Sequence, residues 1–140
     1  MKGKLKELLK NSHSPYSKYR VAAIVVMKDG REFLGVNVEN ASYGATICAE
    51  RSAIVSAISA GYKKGDFKEL NVMVGSGSIG TPCFICRQVI EEFFDDDSIV
   101  NCYDTNGGKT TFKVSTLCPY PFGSEDLQSW NVVLLVSRTP

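Results

Sequence analysis

Apolar residues recur every three or four positions in three parts of the chain, a spacing that predicts amphipathic helices. "KLKELLK" near the start carries leucines on one face, and residues 48–60 carry alanines and isoleucines in the same way. Gly61 supplies the expected stop of this second helix. "TPCFICRQVIEEFF", residues 81–94, predicts a third helix with Pro82 close to its first turn.

Apolar runs without helical spacing separate these helices and predict a sheet. The predicted strands cover residues 20–27, 32–38, 69–76, 98–103 and 109–114. Asp29 and Gly30 lie between the first two runs and form a strong hairpin signal. The third run is almost wholly apolar, as in strands that are covered on both faces. The order α-ββ-α-β-α-β-β therefore predicts an α/β sandwich around about five strands.

Composition indicates an ordinary globular protein. The chain has 140 residues, of which 44% are hydrophobic and 22% charged, so we expect a single domain over residues 1–140. A formal net charge of +1 gives no electrostatic footprint for nucleic acid or for an anionic membrane. The N-terminal "MKGKLKELLKNS" has no apolar run of signal-peptide length, and no segment approaches transmembrane length. These features predict a cytoplasmic location.

The five cysteines carry the first chemical signal. Without secretory features, a disulfide framework is disfavoured against metal ligands, catalytic thiols or small core residues. Cys83 and Cys86 form Cys-x-x-Cys at the start of one predicted helix, and Cys48 starts another. Three thiolates at these spacings can occupy three corners of a Zn²⁺ tetrahedron. No fourth Cys or His stands at a motif spacing, and an open fourth position is typical of catalytic zinc.

Glu50 follows Cys48 by two positions, which in mid-helix would direct the two side chains about 200° apart. At the first turn of a helix, however, a site can lie beyond the helix end. Cys48 can then bind the metal while Glu50 reaches the open position. Arg51, next along the chain, is well placed to offset the net negative charge of zinc with three thiolates.

Each of these residues also has a plainer interpretation. A single Cys-x-x-Cys is also typical of a redox pair, although such a pair needs no third cysteine. A Glu in a first helical turn often only complements the helix dipole. We expect Cys102 and Cys118 to be small core residues. Cys-Ala-Glu together with Pro-Cys-x-x-Cys nevertheless favours a zinc site with a proton-transferring carboxylate.

The combined motif is that of zinc deaminases, in which the Glu moves protons and is not a ligand. Beyond the motif, the chain resembles the small homotetrameric cytidine deaminases in "SPYSKYRVAA", "GVNVENASYGATICAERSA", "TPCFICRQVI" and "PFGSEDL". The resemblance implies a three-layer α/β/α sandwich with a mixed sheet. It also implies hydrolysis of cytidine and 2′-deoxycytidine to the uridines with release of ammonia, in pyrimidine salvage. One Zn²⁺ per subunit would be held by Cys48, Cys83 and Cys86, with Glu50 as general acid and base.

The resemblance further implies which residues bind the nucleoside. Asn37 and Glu39, in "NVEN", would bind the ribose hydroxyls, and the backbone of Ala49 would approach the pyrimidine carbonyl. Tyr19 stands where the family usually has a Phe that stacks on the pyrimidine. Phe122 matches an aromatic residue that the family lends to a neighbouring subunit's site, so this assignment depends on the homotetramer.

Some positions depart from the family pattern. Phe84 and Ile85 replace the usual small Gly-Ala pair between two zinc cysteines, which predicts altered packing around the metal. The apolar "WNVVLLVSRTP", residues 130–140, extends past the familiar end and is too short to assign. None of the departures removes a residue that the chemistry needs.

Three other functions share part of this pattern. A deaminase of a modified cytosine nucleoside or nucleoside antibiotic would use the same zinc chemistry, but the ribose signature favours ordinary nucleosides. A nucleic-acid base deaminase would need a basic groove and stacking aromatics, which the charge balance disfavours. A non-catalytic zinc module would have no use for Glu50 beside an open coordination position.

Overall fold

The computed structural model describes residues 1–127, and the apolar tail at 130–140 lies outside them. The helices are α1 (Lys2–Leu9), α2 (Ala49–Ser59), α3 (Phe84–Phe93) and α4 (Val114–Leu117). The strands are β1 (Val21–Met27), β2 (Glu32–Val36), β3 (Phe67–Val74), β4 (Phe94–Tyr103) and β5 (Lys109–Lys113), and a 3₁₀ turn covers Tyr43–Ala45. Within residues 1–127, no helix combines the length and the apolar character needed to cross a bilayer.

The five strands form one mixed sheet in the order β2-β1-β3-β4-β5. The predicted hairpin joins β1 to β2, and Gly30 takes the positive φ of 91° that its turn requires. β1 and β3 are antiparallel, whereas β3 and β4 run parallel because α3 crosses over between them. β5 returns antiparallel to β4 at the far edge. The predicted mixed sheet of about five strands is confirmed.

Helices cover both faces of this sheet, which confirms the three-layer sandwich. α1 packs Leu5 and Leu9 onto one face. The opposite face carries the larger core, where Ile54 of α2, Ile90 of α3 and Leu117 of α4 are buried. Since α2 and α3 lie on the same face, their N-termini can meet at one place.

The start of α3 differs from the sequence prediction in a way that matters for the metal site. The helix begins at Phe84 and not at residue 81, because Cys83 is its N-cap with an extended backbone of φ −65° and ψ 163°. Pro82 therefore precedes the helix and does not lie in its first turn. The later start of α3 puts Cys83 at the N-terminus of the helix, where its side chain can lie beyond the helix end.

Two strands also start earlier than the apolar pattern indicated. β4 begins at Phe94 and not at residue 98, although Asp95, Asp96 and Asp97 are exposed. Phe94 pairs with Phe67 at the start of β3, and both side chains are buried. Burial of these two rings extends the strands into sequence that is too polar to be recognised as strand.

Candidate active site

The N-termini of α2 and α3 bring three cysteine thiols together. Cys48 is the N-cap of α2, Cys83 is the N-cap of α3, and Cys86 lies buried in the first turn of α3. Their three Sγ atoms all lie within 4.8 Å of one another, and among residues 1–127 no His, Asp or Glu joins the group. Tetrahedral zinc with bonds of about 2.3 Å holds two sulfurs about 3.8 Å apart. The Sγ atoms of Cys48 and Cys83 are 3.8 Å apart, so the donors fit zinc and leave one corner open.

Charges around the thiols favour a thiolate at Cys48. Hydrogen bonds from the thiol of Cys86, from Arg51 and from the thiol of Cys83 lower the pKa of Cys48 to about 5. The Nη2 of Arg51 lies 3.5 Å from the Cys48 sulfur. Donation to Cys48, together with burial, raises the pKa of Cys86 above its usual range. A cation is therefore needed to hold all three as thiolates, which is what a coordinated metal does.

Glu50 lies in the first turn of α2 and is only 5% exposed. Burial, reinforced by the negative charge of Cys48, raises the pKa of Glu50 to about 7. A carboxyl group with this pKa can both accept and return a proton at neutral pH. Glu50, Cys48 and Cys83 line the same cavity, so a molecule bound there would lie next to both the carboxyl and the metal site.

This cavity has a volume of about 240 Å³. Besides the carboxyl and thiol groups, it is lined by four residues singled out in the sequence: Tyr19, Asn37, Glu39 and Ala49. Arg51 contacts Cys48 but does not line the cavity, and neither does Cys86, which is fully buried. The fold thus brings residues from four separate parts of the chain to one site.

Asn37 is held rigidly at the cavity wall. Its Nδ2 donates to the carbonyl oxygen of Tyr19 at 2.7 Å, and its Oδ1 accepts from the backbone N–H of Val21 at 2.9 Å. The hydroxyl of Ser12 donates to the same Oδ1. These contacts fix the amide orientation before any ligand binds.

Glu39 is kept as a carboxylate by donors from the preceding loop. The hydroxyl of Ser17 and the backbone N–H groups of Ser17 and Tyr16 donate to it, with N···O distances of 3.1 and 3.0 Å for the latter two. These bonds, that of the Ser17 hydroxyl first, lower the pKa of Glu39. The sequence analysis missed Ser17, because Ser17 and Glu39 are far apart in the sequence and belong to no common motif.

Tyr19 occupies the corner of the cavity beside Gly80. A Cβ atom on Gly80 would lie 2.6 Å from the Tyr19 hydroxyl, so this corner has room for the phenol only because residue 80 is glycine. Burial, followed by the nearby charge of Glu50, raises the pKa of Tyr19. The hydroxyl that distinguishes this chain from the usual Phe therefore lies beside Gly80, near enough to Glu50 to be influenced by its charge.

Phe122 does not reach the cavity of its own chain. It lies by a separate groove on the outer side of α3 with Phe84 and Tyr120, and its side chain is 56% exposed. Its carbonyl oxygen accepts a hydrogen bond from Nε2 of Gln88 at 2.8 Å. Of the predicted substrate-binding residues, Phe122 alone lies apart from the others within residues 1–127.

The fold and the site together are those of a zinc hydrolase: an α/β/α sandwich whose helix ends bring together three thiols able to hold a metal beside a buried carboxyl. Residues 2–102 match the family model described as the cytidine and deoxycytidylate deaminase zinc-binding region. The chain belongs to this family, and its cofactor is zinc.

Known proteins similar to the chain agree with this membership. A probable cytidine deaminase of Dictyostelium discoideum is 45% identical over 121 residues, which cover 83% of this chain and 77% of that protein. A cytidine deaminase of Halalkalibacterium halodurans is 39% identical, with 83% and 86% covered. The crystal structure of a cytidine deaminase from Burkholderia pseudomallei matches with a TM-score of 0.81 at 37% identity, covering 84% of this chain and 93% of that one. The resemblance inferred from the sequence is confirmed.

Proposed function

We propose that the protein is a zinc-dependent cytidine deaminase that hydrolyses cytidine and 2′-deoxycytidine to uridine and 2′-deoxyuridine and releases ammonia. The observation that carries the proposal is the position of Glu50, which is buried in the wall of the same cavity as Cys48 and Cys83. Similarity over most of the chain to proteins named cytidine deaminase supports the choice of substrate.

Deamination requires a hydroxide for C4 and a proton for the departing amine. Zinc, when bound by the three cysteines, supplies the acidity that lowers the pKa of water from 15.7 towards roughly 7. Glu50 takes the proton of the attacking water and delivers it to N3 of the pyrimidine. The carboxylate then takes the proton of the hydroxyl group now on C4 and passes it to the amine, which leaves as ammonia as the C4 carbonyl forms, so that one carboxyl acts first as a base and then as an acid.

Arg51 and the backbone support this chemistry. The guanidinium of Arg51 offsets the negative charge that three thiolates bring, through its contact with Cys48. The N-termini of α2 and α3 act in the same direction, because helix N-termini favour negative charge. The backbone of Ala49, which is buried at the cavity wall, approaches the pyrimidine carbonyl, and Tyr19 covers the base.

Asn37 and Glu39 bind the ribose hydroxyls at the other side of the cavity. Both side chains are nine-tenths buried and held in place by protein hydrogen bonds. When a ligand without hydroxyls fills the cavity, the remaining N–H of Asn37 and the remaining lone pairs of Glu39 therefore have neither ligand nor water as a partner. A site of this kind rejects such ligands by up to about 10⁴-fold.

A comparison of substrates tests the proposal. The kcat/KM of the zinc-loaded protein for cytidine is expected to exceed that for free cytosine by several powers of ten, up to about 10⁴. Asn37→Ala is expected to reduce this ratio, whereas Asn106→Ala, in the β4–β5 turn and not among the residues that line the cavity, leaves it unchanged. Equal kcat/KM values for cytidine and cytosine would contradict the ribose-binding role.

We further propose that the protein is a homotetramer of single-domain subunits in which Phe122 completes the site of a neighbour. The exposed ring of Phe122 outside its own cavity supports this. We also propose a role in pyrimidine salvage in the cytoplasm, with neither nucleic acid nor a membrane as partner. That the five cysteines form no disulfides supports a reducing compartment.

A further inference from the structure

Arg87, which follows the zinc cysteines in α3, makes more directed contacts than the proposed chemistry needs. Its Nε donates to the carbonyl oxygen of Pro82 at 2.7 Å, and its Nη2 donates to Oγ1 of Thr81 at 2.9 Å. Its Nη1 donates to the carbonyl oxygen of Leu117 at 3.1 Å. One side chain thus holds the loop that leads into Cys83 and the end of α4 at the same time.

Two further hydrogen bonds tie α3 to the segment after α4. The Cys118 thiol donates to the carbonyl oxygen of Arg87 at 3.3 Å. Nε2 of Gln88 donates to the carbonyl oxygen of Phe122 at 2.8 Å. Residues 117–122 are therefore attached to the helix that carries two of the zinc ligands at three points.

The departure from the family pattern at Phe84 belongs to this network. The guanidinium carbon of Arg87 lies 4.4 Å from the centre of the Phe84 ring, which is itself 76% exposed. The Phe84 ring covers one face of the guanidinium, and the N–H groups at the edge of the guanidinium donate the three hydrogen bonds. A lysine side chain cannot reproduce this geometry.

We propose that Arg87 is a positioning residue that couples the zinc-ligand loop, residues 81–83, to residues 117–122. Zinc binding favours the ordered state of residues 117–122. Because such coupling is reciprocal, ordering of this segment raises the affinity for zinc by the same factor. Phe84 assists by holding the guanidinium in place. Where Phe122 completes a neighbouring site, which rests on the proposed function, the coupling also carries zinc occupancy to that neighbour.

Zinc affinity provides the first test. In competition with a chromogenic chelator, Arg87→Lys is expected to bind Zn²⁺ about 10- to 100-fold more weakly than the wild type, as for other residues that orient metal ligands. Phe84→Leu is expected to weaken binding less. Arg31→Lys is the matched control, since Arg31 stacks on Phe33 at 5.0 Å in the β1–β2 hairpin. Its zinc affinity is expected to stay within about twofold of the wild type, since it orients no ligand.

Amide hydrogen exchange of residues 117–123 provides a second test. If Arg87 only stabilised the fold, exchange in this segment would not depend on zinc. In the wild type, removal of zinc is expected to raise exchange in this segment. In Arg87→Lys, exchange is expected to be high already and to change little with zinc. Unchanged wild-type exchange on zinc removal would overturn the proposal, and so would wild-type zinc affinity in both Arg87→Lys and Phe84→Leu.

The design separates this proposal from the proposed function. Neither readout uses cytidine, so an absence of deamination leaves both measurements valid. If Arg87→Lys fails to fold, zinc binding by Phe84→Leu and exchange in the wild type still decide the matter.

Discussion

In the proposed mechanism, the burial of Glu50 at the N-terminus of α2 lets one carboxyl serve as both base and acid. An exposed carboxyl has a pKa near 4.3 and returns protons poorly at neutral pH. The fold moves the pKa of Glu50 to about 7 by removing the group from water and placing it next to the Cys48 sulfur. At the scale of the residue, position in the fold determines the chemistry.

Replacing this carboxyl by its amide tests the assignment. Glu50→Gln is expected to lower kcat for cytidine by at least the 10²- to 10⁴-fold typical of proton-transfer catalysis. Zinc content, measured by mass spectrometry, is expected to remain at the wild-type level. Glu7→Gln, which alters an exposed carboxyl on α1, is the control and is expected to keep full activity. Near-normal turnover by Glu50→Gln with full zinc would contradict the mechanism.

The pKa of Glu50 also predicts how stability changes with pH in zinc-free protein. The folded-state pKa of about 7 lies above the ordinary value of 4.5. Glu50 therefore makes its full contribution to the free energy of unfolding below pH 4.5, and this contribution is lost as pH rises through 7. The free energy of unfolding of the wild type is expected to fall relative to Glu50→Gln by about 3 kcal/mol over this range. Denaturant unfolding at several pH values measures it, and identical pH profiles would show that Glu50 is not buried as described.

At the scale of elements, the metal site depends on close packing between β2 and α2. A Cβ atom on Gly35 would lie 2.4 Å from the carbonyl oxygen of Ala49 and 2.4 Å from the backbone nitrogen of Ala53. The backbone of α2 is therefore in direct contact with the backbone of β2 where the helix crosses the strand. Because α2 carries Cys48 and Glu50, any displacement of the helix moves both groups.

Gly35→Ala tests this dependence. The added methyl group is expected to reduce the free energy of unfolding by about 1–3 kcal/mol, as overpacking does, and to weaken zinc binding because α2 shifts. Gly3→Ala is the control, since a Cβ atom on Gly3 has open space around it. Chelator competition and denaturant unfolding measure the two effects. Unaltered stability and zinc affinity in Gly35→Ala would refute the close contact.

The elements that the sequence revealed are those with a clear hydrophobic period. Three helices, five strands and the Asp29-Gly30 hairpin follow from that period and are present. α4 and the 3₁₀ turn at Tyr43–Ala45 contain only four and three residues, too few to show one. The cysteines of the site were predicted because each belongs to a local motif, Cys48 to Cys-Ala-Glu and the other two to Cys-x-x-Cys. Contacts such as Ser17 with Glu39 or Arg87 with Leu117 join distant segments and belong to no motif.

At the scale of the whole molecule, exposed apolar side chains lie on and beside the outer surface of α3. Phe84, Ile85 and Phe122 are all more than half exposed. Phe84 and Phe122 line one groove, and exposed apolar surface of this kind is typical of sites where proteins associate. The surface is compatible with the proposed homotetramer, in which it would meet another subunit.

Mixing two impaired variants tests whether Phe122 acts in a neighbouring site. Phe122→Ala and Glu50→Gln are each expected to be impaired alone. Co-expressed, they are expected to recover activity, because with random assembly about a quarter of the sites combine an intact Glu50 with an intact Phe122 from another subunit. Mixing the separately purified proteins without reassembly is the control. Absence of recovery in verified mixed oligomers would contradict a contribution between subunits.

The most direct measurement is the conversion of cytidine by purified protein as a function of its zinc content. We predict that the zinc-loaded protein removes the ultraviolet absorbance of cytidine and releases one ammonia for each uridine formed. Chelation should abolish both signals, and added Zn²⁺ should restore them. Protein with a full complement of zinc bound by Cys48, Cys83 and Cys86 that leaves cytidine unchanged would contradict the account.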